Sequence, residues 1–292
     1  MGGWNPGGAL AGAQRRRRTR RPDRPAVRGL YRLLRLAEII CDTMKLDVLY
    51  SAANHPWPQL RDHVMRAEAE GYGRAWVFDH LSGAMLSGTR MLECFTLAGA
   101  LAAATSTIGI GTLVVNAANR PAGVAVAAAA SVQEISGGRF VFGLGAGSAP
   151  GTRWAREHEL LDIPLHDSIQ RRHQHLIDVI DLCDIQWDPG RVERWAGFPL
   201  PSPRPPILLG VNSVGLATIA GARCDAMNVA LDHPRIEEFI AAARAARASS
   251  DLAGRPFEVN AWTALSDAAL DPDGDAQRRV TELGGDGLVL VA

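Results

Sequence analysis

Asp79 and His80 stand side by side where a short apolar run, AWVF, gives way to LSG. A histidine in such a place exchanges a proton near neutral pH, and an adjacent carboxylate can orient it. A hydrogen-bonded structural histidine at the start of a loop fits the position equally well. Three other clusters sit at the ends of apolar runs: Thr112, Val115, Asn116 and Asn119; Gly145, Ala146 and Gly147; Gly210, Asn212 and Ser213. The small residues of GLGAG leave room for a flat ring to approach the backbone. Their spacing is G-x-G-x-G, which is a weak match to a dinucleotide loop. Gly210 leaves space, and Ser213 with the amides of a following helix can hold an anion, or Ser213 can simply cap that helix.

These clusters need elements to carry them, and from Leu46 onward strands and helices alternate. LDVLYSA (46–52) reads as strand one, AWVF as strand two, IGIGTLVV as strand three and RFVFGLG as strand four. Pro121 to Ile135 between the last two is long enough for a crossover helix, closed by Gly137-Gly138, so the pair makes a right-handed βαβ unit. PPILLGVN, CDAMNVA, FEVNAWTAL and DGLVLVA give strands five to eight, with helices between them. Eight βα repeats predict an α/β fold of the (β/α)8 TIM-barrel type, with its active site at the C-terminal strand ends. An open dinucleotide-binding sheet calls for a glycine fingerprint after strand one, and Leu46 to Asn54 contains no glycine.

Two irregularities stand out. About sixty residues separate strand four from strand five, far more than a helix and two loops need, which marks a lid or binding loop. It carries Arg153, Trp154, Arg156, Glu157, His158, His166, His173 and His175. Arg153 and Trp154 are placed to cover a bound ring or phosphate. His173 and His175 lie two apart on a predicted helix, face different ways, and read as solvated positions rather than metal ligands. No metal is expected. The second irregularity is that no eighth helix follows strand eight, so an exposed apolar edge is expected there.

The formal net charge is zero, but residues 1–44 hold ten arginines against Asp23, Glu38 and Asp42, leaving the rest of the chain mildly acidic. We read residues 1–43 as a disordered basic leader, arising from a start assigned upstream of a natural start at Met44, and residues 44–292 as the barrel. The leader is the only feature that suggests nucleic acid, and we expect no nucleic-acid partner. Four cysteines without C-x-x-C spacing fit a reduced, cytoplasmic compartment, and no apolar run is long enough for a membrane span.

The blocks AEAEGYGRAWVFDHLS, TSTIGIGTLVVNAANRP with SGGRFVFGLGAG, and PPILLGVNSVG resemble the luciferase-like monooxygenase superfamily, the flavin- and deazaflavin-dependent barrel oxidoreductases. The resemblance covers about Met44 to Ala292. It implies coenzyme F420, or alternatively FMN, laid across the strand ends, with the ring against a bulge of strand three at a non-proline cis peptide. That bulge falls within Thr112 to Asn116. The deazaflavin branch implies a catalytic role for Asp79 and His80, with Gly145, Ala146 and Gly147 beside the ring and the cofactor phosphate at Gly210, Asn212 and Ser213. The glutamate that sugar-phosphate dehydrogenases of this branch carry after strand four is absent here. The expected activity is hydride transfer between F420 and a small organic substrate. The rivals are an FMN monooxygenase using molecular oxygen and a non-catalytic, degenerate cofactor-binding barrel. Apolar barrel faces in this superfamily are commonly covered in a homodimer, which is the oligomer expected.

Overall fold

The computed structural model describes residues 44–292, and the leader lies outside the described residues. The strands are β1 (Lys45–Leu49), β2 (Arg74–Val77), β3 (Gly109–Thr112), β4 (Val115–Asn116), β5 (Phe140–Gly145), β6 (Ile207–Gly210), β7 (Ala226–Ala230), β8 (Glu258–Ala264) and β9 (Gly287–Val291). All pair in parallel, β1 with both β2 and β9, and pairing of β3 with β5 closes the ring. β3 and β4 are two halves of one strand, so the nine segments make eight staves of a closed barrel. The helices are α1 (Trp57–Ala69), α2 (Cys94–Ala104), α3 (Ala122–Ile135), α4 (Arg156–Leu160), α5 (Ile169–Gln186), α6 (Val214–Arg223), α7 (Ile236–Ala248), α8 (Asp267–Leu270) and α9 (Asp275–Glu282). The TIM-barrel expectation holds, and so does the long insertion, which runs from Ser148 to Pro206 and contains α4 and α5.

Two layers of side chains follow from the period-two alternation of the strands. Outward residues such as Val48, Val77, Ile110, Phe142 and Leu209 join the helices in one large core. Inward residues Leu49, Trp76, Leu113, Val141, Leu208, Ala226 and Val289 fill the barrel itself. The interior is therefore packed at mid-height, and anything bound must sit above it, at the strand C-termini. The apolar edge expected beside the last strand is not there. Leu288 and Leu290 are fully buried, in a cluster with Ala261, Ala269 and Val280. α8 and α9, the short helices between β8 and β9, supply Ala269 and Val280; α9 is the helix expected between the last two strands, and α8 is the addition that the alternation did not show.

The lower end of the barrel holds a buried ionic group. Arg74 makes two hydrogen bonds to Glu258, at 2.6 and 2.9 Å, and lies 3.6 Å from Asp47, which accepts from Trp76 Nε1 at 2.9 Å. Burial pushes the Asp47 carboxyl up to about 6, against the pull of Arg74 and Trp76. A folded-state value above the unfolded one means the native chain binds this proton more tightly. Stability from this group is thus full below about pH 4 and falls as pH rises through about 6, by on the order of 3 kcal/mol. Asp47→Asn keeps an acceptor for Trp76 and leaves Arg74 its glutamate. Its melting temperature should exceed that of the native chain at pH 7.5, with the gap closing toward pH 4.5 in a thermal-denaturation series.

Candidate active site

The split in the third stave shapes everything above it. β3 pairs with β5 as far as Gly111 with Val141, and β4 resumes at Val115 with Leu144, so one extra residue bulges out between them. The Leu113–Val114 peptide in this bulge is cis. Thr112 takes over the missing ladder bonds: its hydroxyl donates to Gly143 O and accepts from Gly143 N, both at 2.9 Å. The alternate glycines of GLGAG face this bulge. A Cβ on Gly143 would stand 1.8 Å from Thr112 O, one on Gly145 2.6 Å from Val114 Cγ2, and one on Gly147 2.5 Å from Asn116 Oδ1. Gly210, across the barrel mouth, leaves room for Val114 in the same way, at 3.1 Å. The small residues thus make space first for the protein's own bulge, and Val114, not bare backbone, forms the apolar floor. Gly143→Ala should destabilise by about 3 kcal/mol or more, because its clash is with backbone, and should lower the yield of folded protein. Circular dichroism melts measure this.

Above that floor lies a cavity of about 690 Å³, a size ordinary for a cofactor with a small partner. Of the residues singled out in the sequence, Asp79, His80, Asn116, Gly145, Ala146, Gly147, Gly210 and Asn212 line it. Thr112 and Val115 are fully buried beneath it, and Ser213 caps α6, accepting from Leu216 N at 3.3 Å. Asp79 and His80, adjacent in sequence, turn to different partners. The Asp79 side chain has no solvent exposure and is gripped by Arg120 through two bonds, at 2.6 and 2.8 Å. It also accepts from Asn116 N at 3.0 Å, which ties it to β4. Burial raises its carboxyl while Arg120 pulls it back. Its geometry is that of a brace for the bulge.

His80 is held from the insertion. Its Nδ1 lies 3.0 Å from Glu157 Oε1, and Glu157 Oε2 accepts from the amides of Leu81 and Ser82, each at 2.9 Å. Burial alone would raise the Glu157 carboxyl, but these hydrogen bonds outweigh it and hold it below its ordinary value. A carboxylate there keeps the proton on His80 Nδ1, so Nε2 is the atom left to exchange one. Trp154 stacks on the imidazole with ring centres 5.7 Å apart. Next to Glu157, buried His158 places Nε2 2.7 Å from Asn119 Oδ1. The same nitrogen lies 3.0 Å from Asn116 Nδ2, so the ring bridges the two rim asparagines, and Asn119 Nδ2 donates to Asp79 O at 2.7 Å. Burial holds this imidazole below its ordinary value. One turn of helix, α4, thereby pins the lid to the rim through two neighbouring residues.

The far side of the cavity is cationic. The His173 ring comes within 3.0 Å of where a Gly215 Cβ would lie, in the first turn of α6, and Arg172 also lines the cavity. The amides of that turn together with the Arg172 guanidinium suit a phosphate, while burial and then Arg172 hold the His173 imidazole below its ordinary value, as a neutral hydrogen-bonding group. His173 and His175 do face apart, but neither is a solvated position: His175 lies against Ala117 O at 3.0 Å. No group of three or more metal-ligating side chains occurs among the described residues. A further polar atom, Asn228 Nδ2, is buried at the cavity wall without a protein partner, which is costly unless a ligand or water completes it. An apolar floor, an anion-binding end and an unsatisfied donor in the wall fit a phosphate-bearing flavin-type cofactor.

Sequence reasoning named Glu157 only as a lid residue and Trp154 as a cover for a ring or phosphate, held Val114 only within the Thr112 to Asn116 bulge, and missed Arg120, Asn228 and Trp262, the last of which also lines the cavity. Arg120 was legible only as the first residue of an Arg-Pro pair.

A family model described as luciferase-like monooxygenase matches residues 39–284. A 5,10-methylenetetrahydromethanopterin reductase of Methanolobus tindarius is 27% identical over 214 residues, which is 70% of this chain and 60% of that relative. The fold is similar to that of an F420-dependent secondary alcohol dehydrogenase solved with an F420-acetone adduct. There the TM-score is 0.68 and the identity 16%, covering 85% of this chain and 93% of that one. It is also similar to the monooxygenase RslO1 from Streptomyces bottropensis, with a TM-score of 0.60 and 16% identity over 85% and 92% of the two chains.

Proposed function

This chain belongs to the luciferase-like monooxygenase family, and from that premise we propose that it is a cytoplasmic oxidoreductase transferring hydride between coenzyme F420 and a small organic substrate. The observation that carries the reading is the His80–Glu157 pair at the rim of a cavity with an apolar floor and a cationic end. When bound, a deazaflavin supplies a two-electron hydride donor or acceptor. The chain's own residues do the rest. Val114 and the glycines around it seat the ring, and the first turn of α6 with Arg172 and His173 holds the phosphate. Asp79 and Arg120 fix the bulge on which that seat depends.

His80 Nε2 takes the proton from a substrate hydroxyl as its carbon is oxidised, or returns one in the reverse direction. Glu157 stabilises the imidazolium so formed. Trp154, stacked on His80, keeps water from the proton-transfer site. FMN chemistry with molecular oxygen is the nearest rival, and a barrel that binds cofactor without turnover is the other. Titrating the protein with F420 and with FMN, followed by absorbance and fluorescence, separates the two cofactors. Turnover in the presence of the tighter one then separates enzyme from inert binder. We expect F420 to bind more tightly, and failure of both cofactors to bind would sink the proposal.

A further inference from the structure

One aromatic ring in the cavity has nothing to do in the empty fold. Trp262, at the upper end of β8, points inward with the barrel lining and is 40% exposed, although an indole of that size gains most from burial. Trp154, exposed to a similar extent, is occupied on both sides, by His80 and by Arg153, whose guanidinium lies 4.1 Å from the ring centre. Trp262 has no ring or cation partner among the described residues. The apolar side chains Phe78 and Val291 line the cavity as well.

The charges in the cavity decide what else this region accepts. Asp79 is consumed by Arg120, and Glu157 by His80 and two amides. The lasting positive charge in the lining is Arg172, at the phosphate end, where it also donates to His166 O and Asp167 O. An anionic group beside Trp262 would be desolvated without a counter-charge, which is costly. His233 also lines the cavity and accepts from Arg235 N at 3.1 Å through Nδ1, which leaves its Nε2 as a donor.

We propose that the substrate is an uncharged aromatic alcohol or carbonyl compound whose ring stacks on Trp262 while its oxygen reaches His80. The placement of the oxygen rests on the function proposed above, whereas the binding preference does not.

The test is therefore a binding measurement on the cofactor-free protein, with inorganic phosphate present to fill the cationic end. Acetophenone, 4-acetylbenzoate and cyclohexyl methyl ketone are compared by saturation-transfer NMR and calorimetry. We expect acetophenone to bind at least about tenfold more tightly than 4-acetylbenzoate, and several-fold more tightly than the saturated ketone. Trp262→Ala should lose about tenfold in acetophenone affinity, and Trp262→Phe about threefold or less. Equal or tighter binding of the carboxylate, binding of none of the three, or an unaltered Trp262→Ala variant overturns the proposal. A failed cofactor titration alongside the expected ratios would reject the redox reading alone.

Discussion

Replacing Arg120 with methionine should cost about 3–5 kcal/mol of stability, lowering the melting temperature by on the order of 10 °C. The size follows from what is left behind. Asp79 has no solvent exposure, and without the guanidinium it keeps one backbone amide, from Asn116, as its donor. A buried carboxylate stripped of its partner must either stay charged at high cost or take up a proton. The deficit should therefore shrink as pH falls and the orphaned carboxyl protonates, which a simple packing loss would not do. Asp79→Asn added to Arg120→Met should recover part of the stability, since it removes the charge that lacks a partner. The pair braces β4 through Asn116, so the single variant should also bind cofactor more weakly. A melting temperature unchanged by Arg120→Met would remove the brace from the account.

Removing the His80 imidazole should lower kcat by about 10²–10⁴-fold for any substrate that turns over. His80→Ala leaves Val114, the glycine-lined floor and the phosphate end untouched, so cofactor affinity should change little. Added imidazole should restore part of the lost rate, because the vacated space lies at the cavity wall and under Trp154. Glu157→Gln should give a smaller loss. It keeps a side chain of the same shape but cannot accept at both oxygens, so the imidazole and the Leu81 and Ser82 amides then compete for one acceptor. Full activity in His80→Ala would remove His80 from the proton transfer.

Much of the fold was legible because buried parallel strands and amphipathic helices write different periods into a sequence. FVFGLG is an unbroken apolar run and proves buried along its whole strand, and the alanine-rich helix after Pro121 ends where Gly137-Gly138 said it would. What failed was local. IGIGTLVV reads as one strand, yet it breaks after Thr112, because a bulge is set by partners on β5 that lie some thirty residues away. The glycines of GLGAG were visible, but their purpose was not, since the atoms they avoid belong to Thr112, Val114 and Asn116. Asp79 and His80 were found together and turned out to have separate partners, Arg120 and Glu157, each distant in sequence. Long-range pairing of this kind leaves no periodic trace. The buried condition of Leu288 and Leu290 was missed for a related reason: the helix at Asp275–Glu282 was expected, but α8 is one turn long and shows no helical stripe, and that Ala269 and Val280 meet over the last strand is set by the tertiary fold.

The central claim is that the cavity above Val114 seats a phosphate-bearing deazaflavin. The most direct measurement is a fluorescence and absorbance titration of residues 44–292 with F420, repeated with FMN and with the Gly210→Val variant. The account predicts saturable F420 binding, weaker FMN binding, and loss of both in the variant, whose side chain would displace Val114 from its niche. Saturable binding undiminished in a folded Gly210→Val protein, or no binding of either cofactor to the native chain, would contradict it.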